Sequence, residues 1–172
     1  VGRSLVTASS SPGNVYLAGL SVVNTASVAG DLSIIGGSII TTAPVSGDEL
    51  LLAGSVSSRS SVTGDLRVVG GSITSDGPIT GDLVAFGYSV HGSGRTQGST
   101  FIVAVDTTLS GAAGPVTVYG NNISLGGDFA GNVRVVAMGR VSLDSGTMIH
   151  GSLSYEAPEE ALIPASATVQ GG

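Results

Sequence analysis

The sequence predicts an all-β chain wound as a parallel β-helix, a solenoid of about 17 residues per rung with three short faces per turn. Three observations carry this reading. First, glycine returns on a 17-residue spacing at Gly13, Gly30, Gly47, Gly64, Gly81 and Gly98. Second, with that glycine as position zero, positions +2 and +4 are apolar: Val15/Leu17, Leu32/Ile34, Leu66/Val68 and Leu83/Ala85, with Leu51 at +4 of the remaining rung. That is the period-two alternation a pleated strand needs to bury one face. Third, position +6 is always small (Gly19, Gly36, Ala53, Gly70, Gly87, Ala104), as where a chain turns a tight corner.

Two further inward files complete the cross-section. Position +9 reads Val22, Ile39, Val56, Ile73 and Val90, and position +15 reads Val28, Val45, Val62 and Ile79. No rung could bury its apolar face alone; stacked rungs bury a continuous core.

Residues 1–12 form a partial N-terminal rung, in which Leu5-Val6 pairs with the next rung and Ser9-Ser10-Ser11-Pro12 is a corner. Regular and degenerate rungs then fill 13–150. The rung opening at Gly98 is irregular, because Phe101 and Val103 are apolar between the inward Thr100 and Ile102. Gly114 follows after 16 residues and restores the pattern with Val116, Val118 and Ile123; Gly131-Asn132 opens the next rung, with Val133 and Val135 inward. From there the spacing stretches to Gly151, twenty residues on. Residues 151–172 are a C-terminal rung with an acidic cap formed by Glu156, Glu159 and Glu160, resumed by Leu162-Ile163 and Val169. The rod is roughly 40 Å long at the usual strand spacing of about 4.8 Å.

Composition agrees with a narrow tube. Of 172 residues, 41% are hydrophobic but only 4% aromatic, with no Trp, so the core is built from Val, Ile, Leu and Ala. Only 10% are charged, and a net charge of -6 argues against nucleic acid or an anionic membrane as partner. The absence of cysteine excludes a disulfide scaffold and a thiolate metal site. A chain that opens at Val1 in place of Met is read as processed or excised, with any envelope or membrane anchor belonging to its parent.

Glu49 breaks the inward +2 file. A lone buried carboxylate costs several kcal/mol, so the expectation is a bulge that turns Glu49 outward and Leu50 inward, with Arg67 as a surface partner; the alternative is a partner inside. Asn14, Asp31, Asp48, Asp65, Asp82 and Asn132 form another file beside the repeat glycines. A carboxylate pair for glycoside hydrolysis or a cation ladder would use such a file, but catalytic groups occur once whereas corners recur, so it is read as a structural turn file accepting backbone hydrogen bonds.

His91 and His150 are the only histidines, and neither belongs to a zinc motif. No GxSxG elbow is present, Gly36-Gly37 and Gly70-Gly71 lack the lysine of a phosphate loop, and Tyr16, Tyr88, Tyr119, Tyr155 and Phe86 are too sparse for a base-stacking platform. Asn122-Ile123-Ser124 matches a glycosylation acceptor only weakly. No catalytic, cofactor-binding or metal site is expected.

The segments Val28-Ala29-Gly30-Asp31-Leu32-Ser33-Ile34-Ile35-Gly36-Gly37-Ser38-Ile39 and Val62-Thr63-Gly64-Asp65-Leu66-Arg67-Val68-Val69-Gly70-Gly71-Ser72-Ile73 resemble the bactofilins, a polymer-forming cytoskeletal family. The ending Ile149-His150-Gly151-Ser152-Leu153-Ser154-Tyr155-Glu156-Ala157-Pro158 resembles the family's envelope-associated relatives. The resemblance covers 13–171 and implies a right-handed parallel β-helix. It also implies end-to-end assembly with further copies of the same chain into nucleotide-free filaments that scaffold cell shape or the envelope. Location is implied either at the cytoplasmic membrane or on the extracytoplasmic face.

The same inference follows from uncapped ends, since an open β-helix exposes strand edges and core. Leu5, Val6, Leu162, Ile163 and Val169 are the candidate end interface. An extracytoplasmic adhesin or stalk is the alternative, and a polysaccharide-acting β-helix enzyme a weaker one. A hexapeptide acyltransferase would repeat in sixes, which 17 opposes.

Overall fold

The computed structural model describes residues 2–172 and is an all-parallel β-solenoid. Its strands are β1 (Gly2–Thr7), β2 (Val15–Asn24), β3 (Leu32–Thr41), β4 (Glu49–Ser58), β5 (Leu66–Ser75), β6 (Leu83–Gly92), β7 (Thr100–Ala112), β8 (Val116–Phe129), β9 (Val133–Ala137), β10 (Val141–Leu143), β11 (Met148–Ile149), β12 (Leu153–Glu156) and β13 (Thr168–Val169). From β1 to β8 each strand pairs in parallel with the next in sequence. The register steps by one period, as in Leu32↔Glu49↔Leu66↔Leu83.

Each ten-residue strand carries two faces. Pairing runs from Leu32 to Gly36, skips Gly37, and resumes from Ser38 to Thr41, so the small-residue position is the corner between them. A Cβ at Gly36 would come within 2.7 Å of the Gly19 carbonyl oxygen below, so the corner leaves little space for a side chain. The third face is a single bridge per rung, Val28↔Val45↔Val62↔Ile79↔Thr96.

The three faces enclose the core. Leu32, Ile34, Ile39, Val45, Leu51, Val56, Val62, Leu66, Val68, Ile73, Ile79, Leu83 and Val90 are buried, as are Val28, Val116, Val118, Ile123, Val133 and Val135. Stacking places like side chains over like, and each full burial contributes roughly 1.5–3 kcal/mol. Leu17, in the rung nearest the N-terminal end, is only partly covered.

The stretched rungs keep the tube by local adjustment. Thr100 pairs with Val116 at the shorter step, and the register shifts between Ser110 and Ala112, where Gly111 takes φ 89°. Beyond Gly131 the faces separate into short strands: Val133 pairs with both Val116 and Leu153, and Ile149 with Phe129 and Val169. Phe129 is fully buried there, filling the wider rungs.

Candidate interaction surface

The glycine and the Asp or Asn after it act as one device. Oδ1 of Asn14 accepts the backbone N–H of Asp31 at 2.9 Å, Oδ1 of Asp31 that of Asp48 at 3.0 Å, and Oδ1 of Asp48 that of Asp65 at 2.9 Å. Asp65 does the same for Asp82 (2.8 Å), Asp82 for Ser99 (2.7 Å) and Asn132 for Ser152 (3.0 Å). A Cβ on Gly47, Gly64 or Gly81 would overlap the carboxylate of the rung below, so glycine clears the space each acceptor occupies. The N–H of Asp65 holds the Asp48 carboxyl below its ordinary pKa, against a smaller cost of burial, with further help from Arg67.

The Glu49 expectation is corrected. Glu49 is fully buried in register with Leu32 and Leu66, and Leu50 faces outward at 40% exposure, so no bulge rotates the strand. Ser58 Oγ donates to one carboxyl oxygen at 2.9 Å and Ser60 Oγ to the other at 3.3 Å. Thr41, also buried, flanks the pair without a hydrogen bond of good geometry. Burial raises the Glu49 pKa, and the hydroxyls of Thr41, Ser58 and Ser60 offset only part of that rise. Arg67 is not its partner; the guanidinium binds Asp65 at 2.7 Å and Asp48 at 3.1 Å on the surface. The missed signal is the file Asn24, Thr41, Ser58, Ser75, a buried polar seam at +11 that can accommodate one carboxyl.

The histidines are apart in the fold. His91 is exposed on β6 between Thr74 and Thr108 of adjacent rungs. His150 ties rungs together at the surface, with Nε2 2.8 Å from Asp128 and Nδ1 3.2 Å from Gln170. Among the described residues no cluster of three or more His, Cys, Asp or Glu is arranged to hold a metal ion, and no helix is long and apolar enough to cross a membrane.

What does stand out is the outside of the first face. Its central file, at +5, is apolar in every rung from Ala18 through Ile35, Leu52, Val69, Phe86 and Val103 to Tyr119 and Val136, each in register with the next. Tyr16, Leu20, Leu50, Tyr88, Val105 and Met138 widen it, and all are well exposed. Phe86, Phe101 and Tyr119 pack as tilted neighbours across it, with ring centroids 6.0 and 5.9 Å apart. The second face instead presents Ser21, Ser38, Ser55, Ser72 and Ser89 in register. The same 17-residue count that aligns the inward positions also aligns this outward one, but apolar residues on an outer face carry no burial signal of their own.

The rod ends are the other unpartnered surfaces. β1 pairs only with β2, Leu5 is half-buried and Val6 is 66% exposed. At the far end β12 pairs only with β9 and β13 only with β11; Leu162 and Ile163 are exposed and Val169 partly buried. Glu156, Glu159 and Glu160 are exposed alongside. Comparison with protein-family models, curated proteins and solved structures returned no match to this chain.

Proposed function

We propose that this solenoid is a non-enzymatic structural protein whose rods join end to end, without nucleotide, into a filament or scaffold of the bactofilin type serving cell shape or envelope organisation. The observation that carries this reading is the pair of open ends. A strand edge with free backbone groups lies beside a partly covered core side chain at each terminus, Leu5 at one and Val169 at the other, with Val6, Leu162 and Ile163 exposed next to them. A second copy docked there would continue both the hydrogen-bond ladder and the core, the two terms that already hold one rung to the next. The motifs that resemble bactofilins supply the cellular role.

Electron microscopy over a concentration and ionic-strength series tests it. Filaments with an axial repeat near the rod length are expected. Isolated rods at every concentration and salt would overturn end-to-end assembly and favour a capped stalk.

A further inference from the structure

We infer that the apolar first face is a lateral interface on which two copies of this chain pack side by side and antiparallel. This pairing uses the flank of the rod and does not depend on joined ends.

The size of the face is the first argument. Eight rungs at about 4.8 Å by five residues at about 3.3 Å give a patch near 40 Å by 15 Å, or roughly 600 Å². Its apolar centre is bordered by Ser33, Arg67, Thr117, Asn121 and Arg134, so the face combines an apolar core with a polar rim, as interfaces do. Buried on two copies it makes about 1,200 Å², enough for a specific interface.

The pattern of side-chain size selects the occupant and its direction. A two-fold axis crossing the face between the rungs of Gly64 and Gly81 reverses rung order and sets each file against itself. At +7 this places Gly71 opposite Tyr88, Gly54 opposite Val105 and Gly37 opposite Asn121, a small residue against a larger one each time. All three glycines are exposed, and Tyr88 projects at 64% exposure. Along the centre Val69 meets Phe86, and Ile35, 61% exposed, meets Tyr119. Tyr119 lines an apolar depression of about 330 Å³ with Val103, Val136 and Met138, which receives the Ile35 side chain. Parallel rods would instead oppose +7 to +3, crowding Leu20 on Tyr16 and Tyr88 on Val84 while leaving Gly37 against Ser33.

Charge agrees. Within its eight rungs the face carries two cations, and Arg3 of β1 sits at its N-terminal edge beside Leu20. Arg67 is neutralised by Asp48 and Asp65 at the border, and Arg134 falls opposite the exposed ring of Tyr16, a cation–π pairing. The border file of Asp31, Asp48, Asp65 and Asp82 would repel an anionic lipid surface.

Sedimentation of the wild-type protein should show a dimer, and Val69→Glu and Phe86→Glu should each weaken it at least 100-fold with the fold intact by circular dichroism. In end-joined material the same contrast reads as filament width, two rods against one. Because the chain lacks cysteine, Leu20→Cys and Met138→Cys chains should form a disulfide when mixed and little when either is alone. Dimers that survive both glutamate variants, a disulfide within the Leu20→Cys population alone, or single rods that instead float with phosphatidylcholine vesicles would each overturn the proposal.

Discussion

Asp48 Oδ1 accepts the backbone N–H of Asp65 at 2.9 Å on the outer corner, while the carboxyl of the next residue, Glu49, lies fully buried against Ser58 and Ser60. The passage from corner to strand thus sends two adjacent carboxyls into opposite environments, and their pKa values move in opposite directions.

Glu49 titrates against stability at high pH. Its folded pKa is raised, so its contribution is fully present below the unfolded value and is lost as pH rises through the folded one. Glu49→Gln keeps the shape and an acceptor for the serines without the charge. Its melting temperature should match wild type in acid and exceed it at alkaline pH, each kcal/mol of difference reading as about 2–4 °C in a chain of this size. Thermal unfolding across pH checks this.

Asp48 has the other sign. Its folded pKa lies below the ordinary 3.8, so its contribution is present above that value and is lost as pH falls through the folded pKa. Asp48→Asn retains the acceptor, as Asn14 and Asn132 do, and should reduce the acid-limb loss. Asp48→Ala should cost about 0.5–1.5 kcal/mol at neutral pH by leaving the Asp65 N–H without its acceptor. Acid and urea titrations separate the two variants.

Leu50 and Leu51 test the strand's orientation. Leu51 is fully buried and Leu50 faces out. On the Phe86→Glu background, which keeps the rods unpaired, Leu51→Ala should cost about 2–5 kcal/mol in urea unfolding, while Leu50→Ala should lie within about 0.5 kcal/mol of its parent.

Gly77 and Gly13 test the rung spacing. A Cβ at Gly77 would overlap the Ser60 carbonyl oxygen, whereas one at Gly13 meets nothing within 4 Å. Gly77→Ala should lower the melting temperature by several degrees and Gly13→Ala should barely move it, as read by differential scanning calorimetry.

Periodicity made the cross-section legible because stacking repeats each environment. Leu32 and Leu66 meet the same surroundings one rung apart, so a single column identifies an inward site. Features that occur once escaped. Glu49 reads as a misfit until the +11 file is aligned and Ser58 emerges as a core hydroxyl. The separate strands beyond Gly131 depend on where extra residues are absorbed, which spacing alone leaves open; positive φ at Gly146, between Leu143 and Met148, marks one such place. The apolar flank was present in the sequence as plainly as the core, but alternation distinguishes two sides without saying that both are apolar.

The 17-residue step from Gly30 to Gly98 also bears on how such a chain changes over generations. Every rung in that stretch bonds only to the one before and the one after, through equivalent atoms. Excising residues 64–80 would bring Gly81-Asp82-Leu83 to the place of Gly64-Asp65-Leu66, with the same acceptor beneath it. Unequal crossing-over between like codons therefore lengthens or shortens the rod in whole rungs and leaves its cross-section unchanged. Loss of a single residue inside a strand would instead turn the inward file of that face outward.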